Sequence, residues 1–170
     1  VTASPGGQAL TGDGSTLIVT LSGLTNGTSY TFTVVAANSI GDSVPSESSS
    51  PVIPASVPGV PTNVTADGGN TQAMVTWDAP SSTGGSAITA YTVTASPGGQ
   101  AVTVDGSTLI ATFTTLTNGT SYTFIVSAIN AVGEGADSAN SNGVTPATVA
   151  GAPTNVTATA SSTQATVTWS

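Results

Sequence analysis

The only side chains that carry charge at neutral pH in this chain are eight carboxylates, so acid–base chemistry would have to come from them. Two carboxyl groups about 5–10 Å apart across a cleft could hydrolyse a glycosidic bond. Asp105 precedes a glycine in a turn-like pair, and Glu134 and Asp137 fall in a loop-like stretch, so the spacing predicts no such pair. We therefore assign no catalytic residue and expect no enzyme activity. The eight are Asp13, Asp42, Glu47, Asp67, Asp78, Asp105, Glu134 and Asp137.

The residue types that are missing exclude more functions than the carboxylates suggest. The chain has no Lys, Arg, His or Cys, and its formal net charge is −8. Nucleophilic catalysis assisted by His, Cys or Lys is excluded, and so is a zinc site. Binding to nucleic acid or to anionic membranes relies on Lys and Arg, so neither partner is expected. No apolar run approaches the 18 residues of a membrane span, and no cofactor is predicted.

The sequence repeats itself. The segment VTASPGGQA begins at Val1 and returns at Val93, so the period is 92 residues (93 − 1 = 92), and LTNGTSYTF begins at Leu24 and again at Leu116. A fixed period of this size indicates one structural unit copied in tandem. The predicted domains are repeat 1 (residues 1–55, the C-terminal part of a unit), repeat 2 (58–147, a complete unit) and repeat 3 (151–170, the first two strands of a further unit).

Apolar residues alternate with polar ones, which is typical of β-strands with one buried face. Ala73, Val75 and Trp77 share one face, and the same pattern runs through 122–128. Asp105-Gly106 lies between two alternating runs and predicts a tight hairpin turn. Short strands separated by Gly, Pro and Asn in a unit of this length predict a β-sandwich. The seven predicted strands of repeat 2 are 61–66, 71–77, 87–95, 100–104, 107–114, 120–130 and 140–146.

Four segments of repeat 2 resemble a fibronectin type III domain. They are PTNVTA, VTWDAP with its Trp77, SAITAYTV, and LTNGTSYTFIVSAIN from Leu116 to Asn130. The last is similar to the family's tyrosine corner, and it places Tyr30 and Tyr122 in register. The resemblance implies an all-β fold of tandem seven-stranded, immunoglobulin-like sandwiches, as in bacterial or archaeal secreted and surface proteins. It also implies spacing, adhesion or assembly more than catalysis.

The residues leave three kinds of binding or modification site: calcium binding, sugar binding and glycosylation. Calcium needs clustered oxygens. The candidates are Glu134 with Asp137, and the segment 67–70. The counterpart of 67–70 in the next copy, 159–162, has no carboxylate, so no metal site is assigned. Sugar binding needs exposed aromatic rings, and the alternation places all eight aromatics inward. Asn-X-Thr sequons leave glycosylation open. The sequons are at Asn26, Asn63, Asn118 and Asn155.

The period places both ends of the chain within a sandwich, which predicts a window on a longer array. Leu17, Val19, Tyr30 and Phe32 of repeat 1, and Val167 and Trp169 of repeat 3, are then expected to be exposed. The alternative is strand addition, in which 151–170 of one chain completes 1–55 of the next and propagates a filament. That alternative leaves the counterpart of 79–92 missing.

These observations predict a structural repeat array in an extracellular filament, stalk or surface fibre, whose partners are neighbouring repeats or other copies of itself. Short linkers at 55–59 and 147–152 are expected to limit bending, because Pro54, Pro58 and Pro61 restrict φ. One alternative is a spacer in a secreted carbohydrate-active enzyme. Another is an adhesin that binds a surface glycan or protein through loops 38–45 and 130–137; an Arg-Gly-Asp activity cannot be carried over, because Arg is absent.

Overall fold

The computed structural model describes residues 1–170, and its regular elements are all β-strands. No helix is present that could cross a membrane. Strands β1 and β2 belong to repeat 1, β3 to β8 to repeat 2, and β9 and β10 to repeat 3. Their bounds are β1 Thr2–Ser4, β2 Thr31–Thr33, β3 Thr62–Gly69, β4 Gln72–Asp78, β5 Ile88–Ser96, β6 Ala101–Asp105, β7 Ile110–Phe113, β8 Thr123–Asn130, β9 Thr157–Ser161 and β10 Gln164–Thr168.

Repeat 2 is a sandwich of two antiparallel sheets. One sheet has the strand order β3-β4-β7, and the other has the order β6-β5-β8. The inward-facing side chains predicted from the alternation form the core: Val75, Tyr91, Phe124 and Val126 have 0–1% of their surface exposed. The all-β sandwich expected from the sequence is therefore confirmed. Strands β4, β5 and β6 begin and end within one residue of their predicted positions, and β3, β7 and β8 differ by three residues at one end.

Aromatic contacts join the two sheets at the centre of repeat 2. The rings of Trp77 and Tyr91 have centroids 5.4 Å apart, and those of Phe113 and Phe124 are 4.9 Å apart. Each pair has one ring on either sheet, and tilted aromatic pairs stabilise a core beyond the area that they bury. Burial also raises the pKa of the Tyr91 hydroxyl. The core needs no disulfide or metal, because these rings and the aliphatic residues around them fill it.

The prediction of a seventh strand over 140–146 is wrong. Residues 138–144 run beside β8 and the preceding Tyr122. They are joined by an isolated bridge between Tyr122 and Val144 and by hydrogen bonds from Ser141 N to Phe124 O (2.8 Å) and from Ser138 N to Val126 O (2.9 Å). This segment advances three residues for every two of its partner, so a continuous ladder cannot form. The segment still lies along the edge of the sheet beside β8, but it is not a regular strand.

Serine hydroxyls satisfy the β8 amides that this mismatch leaves without a backbone partner. Phe124 N donates to Ser141 Oγ at 3.0 Å, and Val126 N donates to Ser138 Oγ at 2.9 Å. Repeat 1 uses the same arrangement, since Phe32 N donates to Ser49 Oγ at 3.0 Å. Ser138 and Ser141 therefore supply the acceptors that these two amides need, because a buried N–H without an acceptor is destabilising.

We expect Ser141→Ala to lower the free energy of unfolding of repeat 2 by about 1–3 kcal/mol, because it leaves the buried Phe124 amide without an acceptor. Ser49→Ala is the matched control: its bond to Phe32 is exposed, so water replaces the hydroxyl. Urea unfolding followed by circular dichroism measures both changes. Equal losses in the two variants would contradict the assigned role of burial.

The turn at Asp105-Gly106 is tight, as predicted, but it is not a hairpin. Thr108 N donates to Asp105 O at 2.9 Å, yet β6 and β7, the strands on either side, belong to different sheets. The turn passes directly over β5: a Cβ on Gly106 would lie 2.2 Å from Ile88 O. Glycine at 106 therefore allows the chain to leave one sheet and enter the other.

Repeats 1 and 3 expose many of the side chains that their counterparts in repeat 2 bury. Leu17 is fully exposed, Trp169 is 65% exposed and Val167 is 48% exposed, as the period predicted. Tyr30 was also expected to be exposed, and this prediction is wrong, since only 7% of its surface is accessible. Its hydroxyl accepts a hydrogen bond from Thr25 N at 3.0 Å. The ring is therefore held locally by its own corner.

Candidate functional site: the junction between repeats

Four of the eight carboxylates accept hydrogen bonds from nearby polar groups. No group of three or more Asp or Glu side chains is placed to hold a metal ion anywhere in the chain. Asp78 Oδ2 accepts a hydrogen bond from Asn63 at 2.7 Å, and Glu134 accepts one from the Ser127 hydroxyl. Asp13 and Asp105 accept hydrogen bonds within their own turns. Each of these four carboxylates thus has a local structural partner.

The turn carboxylates are stabilised in their charged form. The Ser15 hydroxyl, followed by the Thr16 hydroxyl and the Ser15 amide, lowers the pKa of Asp13 from its ordinary 3.8 to about 2. At Asp105 the Ser107 amide and then the Ser107 hydroxyl lower the pKa. Hydrogen bonds to a carboxylate favour ionisation and so lower its pKa. Both carboxylates therefore stay ionised near neutral pH, where they stabilise their turns and cannot act as general acids.

We expect Thr16→Val to raise the pKa of Asp13, because the variant removes one of the two hydroxyls bonded to that carboxylate. Since the folded pKa is depressed, the stabilisation by Asp13 is complete above pH 3.8 and is lost as the pH falls through about 2. Carbon-13 NMR titration of the Asp13 carboxyl measures the shift. Asp105 in the same spectra is the control, and an unchanged Asp13 titration in the variant would contradict the assignment.

The aromatic rings of repeat 2 offer no platform for a sugar. Trp77, Tyr91, Phe113, Tyr122 and Phe124 are each at most 9% exposed. In the other two repeats, Phe32 is half-buried and Trp169 is exposed. Both rings point inward in the alternation, but they lack the opposing strands that cover their counterparts, as expected for the incomplete repeats at the two ends of the chain.

The side-chain amides of all four sequons are engaged in hydrogen bonds. Asn63 donates to Asp78, Asn118 donates to Asn70 at 2.8 Å, and Asn155 donates to Ser170 at 2.9 Å. Asn26 donates to Ser56 Oγ at 3.1 Å, across the boundary between repeats 1 and 2. Glycosylation at these positions stays an open prediction.

The two tyrosine corners build the same turn in repeats 1 and 2. Tyr122 OH accepts from Thr117 N at 3.2 Å, and the following Gly119 N donates to Pro146 O at 2.9 Å. In repeat 1 the equivalent bond runs from Gly27 N to Pro54 O, also at 2.9 Å. The corner therefore ties the Asn-Gly-Thr turn to the start of the outgoing linker and holds both at the end of the sandwich.

The linker between repeats 1 and 2 is hydrogen-bonded to the loop between β4 and β5. Ser56 N donates to Gly84 O at 2.9 Å, and Gly59 N donates to Ser82 O at 2.9 Å. Pro58 between them is buried. The linker backbone is thus held along the loop by bonds on both sides of this proline. We call this arrangement, residues 54–59 with the loop 82–85 and the turn 26–27, the junction.

Two adjacent glycines make the close contact at the junction possible. A Cβ on Gly84 would lie 2.2 Å from Ser56 O, and one on Gly85 would lie 2.3 Å from Gly27 N. Real Cβ atoms do not approach this closely, and both glycines also have positive φ, at 74° and 85°. Two independent constraints, space and backbone conformation, therefore require glycine at both positions.

Asn130 closes the junction from the other side. Only 4% of its surface is exposed, and its Nδ2 donates to Ser56 O at 2.8 Å and to Thr83 O at 2.9 Å. Its Oδ1 accepts from Val132 N at 2.9 Å and from Gly133 N at 3.2 Å, which fixes the loop after β8. One buried amide thus joins the linker and two loops.

Sequence reasoning identified the linker prolines but missed the residues that hold the linker in place. The available signals were the Gly84-Gly85 pair between two strands and an asparagine, Asn38 or Asn130, at the same position of both repeats. Asn38 caps its own loop as Asn130 does, accepting from Ile40 N at 2.8 Å. A glycine pair and a recurring asparagine both occur in ordinary turns, so neither one predicts contact between the linker and the next repeat.

Comparison with known proteins agrees with this architecture. The family model described as "Fibronectin type III domain" matches residues 59–144, about half of the chain. Endoglucanase B of Cellulomonas fimi is 34% identical over 123 residues, an alignment that covers 68% of this chain and 12% of that protein. The chain therefore spans a small part of the length of this relative.

Solved structures resemble the chain over a larger share of its length than the family model covers. A crystal structure of titin domains is 29% identical with a TM-score of 0.50, covering 69% of this chain and 40% of that one. The FN1–FN3 domains of chicken CNTN1 are 22% identical with a TM-score of 0.49, covering 72% of this chain and 44% of that one.

Proposed function

Because this chain belongs to the fibronectin type III family, we propose that it is a structural repeat array that forms an extracellular filament, stalk or surface fibre. The observation that carries the proposal is the junction, where Ser56 and Gly59 of the linker bond to the next repeat. A linker that served only as a tether would not need a buried proline and paired glycines. The partners are neighbouring repeats and other copies of the chain.

The proposed mechanism is mechanical. Each sandwich is a bead, and the junction fixes the rotation of one bead relative to the next. Pro58 limits the φ angles available to the linker, and Asn130 removes its remaining freedom by bonding to Ser56 O. Repetition then adds length without new folds, and each repeat contacts only its neighbours.

The surface chemistry supports a place outside the cell or on its surface. With no Lys or Arg, the chain offers no site to trypsin-like proteases, and its acidic surface repels nucleic acid and anionic membranes. No catalytic role is proposed for this segment, because the carboxylates described above have structural partners.

A second candidate, a spacer in a secreted carbohydrate-active enzyme, is favoured by one observation: the similarity to a protein named Endoglucanase B. The same junction would then hold two other domains at a set distance. An adhesin is less well supported, because the loop at 130–137 contributes Asn130 and Gly135 to the contact with the linker. Loop 38–45 is exposed.

The proposal is tested by measuring how rigid the junction is. The chain has no Cys, so spin labels can be placed at two exposed sites alone, Thr2→Cys in repeat 1 and Thr103→Cys in repeat 2. We expect double electron–electron resonance to give one narrow distance distribution. A broad distribution, as from a flexible tether, would overturn the rigid array.

Fibre and spacer are separated by imaging the intact protein. A fibre is expected to show axial beads about 30–40 Å apart, since strands of roughly ten residues at ~3.3 Å each plus a linker span that length. A short beaded stretch between two larger domains would favour the spacer. Smooth density without this spacing would contradict both.

A further inference from the structure

Repeats 1 and 2 differ at a loop position that lies against the incoming linker. In repeat 2 this position is Gly135, and a Cβ there would lie 2.4 Å from Pro58 O. Its counterpart one period earlier is Ser43 (135 − 92 = 43). The two residues occupy the same place in the fold, because Gly135 N donates to Ala128 O and Ser43 N donates to Ala36 O, both at 2.8 Å.

The fold itself accepts serine at this position. Ser43 Oγ accepts from Ala36 N at 3.0 Å and donates to Val44 O at 2.9 Å, so its hydroxyl is satisfied within the repeat. Gly135 does not have the positive φ that would require glycine. The backbone therefore gives no reason for glycine at 135, and the close approach of the linker carbonyl is the reason that remains.

We propose that this position determines which linker a repeat can accept. Glycine admits a linker of the Pro58 type, whose carbonyl enters the space of the missing Cβ, and serine excludes it. The partner of the surface is therefore a defined segment, residues 56–59 of the incoming linker. The proposal deepens the proposed function and rests on it: repeats would follow one another in a set order and would not be interchangeable.

The two linkers differ at the position that approaches Gly135 in the junction. The linker that leaves repeat 2 carries Ala150 where the first linker carries Pro58 (150 − 92 = 58). Both remaining glycines of the linkers, Gly59 and Gly151, match. Pro58 and Gly135, which approach each other in the junction, thus both differ from their counterparts in the other copies.

The test is Gly135→Ser in the 170-residue chain with spin labels at Thr2→Cys and Thr103→Cys. We expect the narrow distance distribution to be lost or shifted, because the serine Cβ displaces the Pro58 carbonyl. The thermal unfolding of repeat 2 is expected to persist, since Ser43 shows that the fold accepts this residue. Ser43→Gly is the matched control and is expected to leave the distance unchanged, because Ser43 lies outside this junction.

A second variant separates the Cβ from the hydroxyl. Gly135→Ala adds the same Cβ without a new polar group, so it is expected to change the distance as serine does. A distance distribution that stays as in the unmodified chain for either variant would overturn the inference and leave the proposed function standing. A broad distribution in the unmodified chain would instead overturn the proposed function.

Discussion

Gly84→Ala is expected to release the linker from repeat 2 while leaving the sandwich folded. The new Cβ would lie 2.2 Å from Ser56 O and 2.6 Å from Val57 O, so the linker must move away. That movement breaks the bond from Ser56 N to Gly84 O and the bond from Asn130 to Ser56 O. Left-handed backbone at a non-glycine residue adds about 1–2 kcal/mol, and each lost hydrogen bond about 1 kcal/mol.

The control for this variant is Gly119→Ala. Gly119 has φ of 82°, close to the 74° of Gly84, but a Cβ there meets nothing within 4 Å. It therefore carries the same conformational penalty without the clash. Spin-label distances between Thr2→Cys and Thr103→Cys are expected to broaden for Gly84→Ala alone. If both variants broaden the distribution equally, close contact at the junction does not set the orientation of the repeats.

Trp77→Ala is expected to lower the free energy of unfolding of repeat 2 by about 3–5 kcal/mol, the usual loss for removing a buried aromatic side chain. Trp77 is 3% exposed and packs on Tyr91 across the two sheets. Its indole Nε1 has no hydrogen-bond partner, so its stabilisation comes from packing. Urea unfolding followed by far-ultraviolet circular dichroism measures the change.

The repeat supplies its own control in Trp169, which occupies the same position one period later and is 65% exposed. Trp169→Ala is expected to change the free energy of unfolding of repeat 2 by less than about 0.5 kcal/mol, as for other surface substitutions. A loss for Trp169→Ala comparable to that for Trp77→Ala would show that repeat 3 packs against the rest of the chain.

The strands of the core could be predicted from the sequence because burial leaves a local record. Val75 and Trp77 alternate with exposed neighbours, and the period-two pattern that results is visible within one strand. The same reasoning failed for 140–146, because the residues that bond to β8 there are three positions apart and serine hydroxyls accept from the β8 amides. Period-two alternation of apolar residues cannot predict the pairing of a segment that contacts its neighbour at every third residue.

The sheet to which each strand belongs could not be predicted from the sequence either. Asp105-Gly106 has the composition of a hairpin turn, and only the approach of Gly106 to Ile88 O shows that the chain changes sheets there. A glycine in an ordinary turn cannot be distinguished, from the sequence alone, from a glycine packed against another strand. The distinction depends on a residue that is distant along the chain.

For the function, the sequence by itself determined the period, the all-β core, the tyrosine corners and the lack of cationic, thiol and imidazole chemistry. Each of these is a property of residue types or of their local spacing. The tertiary structure decided that the linker is bound, and that Gly84, Gly85, Asn130 and Gly135 are the residues around it. The three glycines allow backbone atoms of segments far apart in sequence to approach, which requires only that a side chain be absent, and Asn130 bonds through a side chain that also caps its own loop. A sequence cannot distinguish either feature from an ordinary turn.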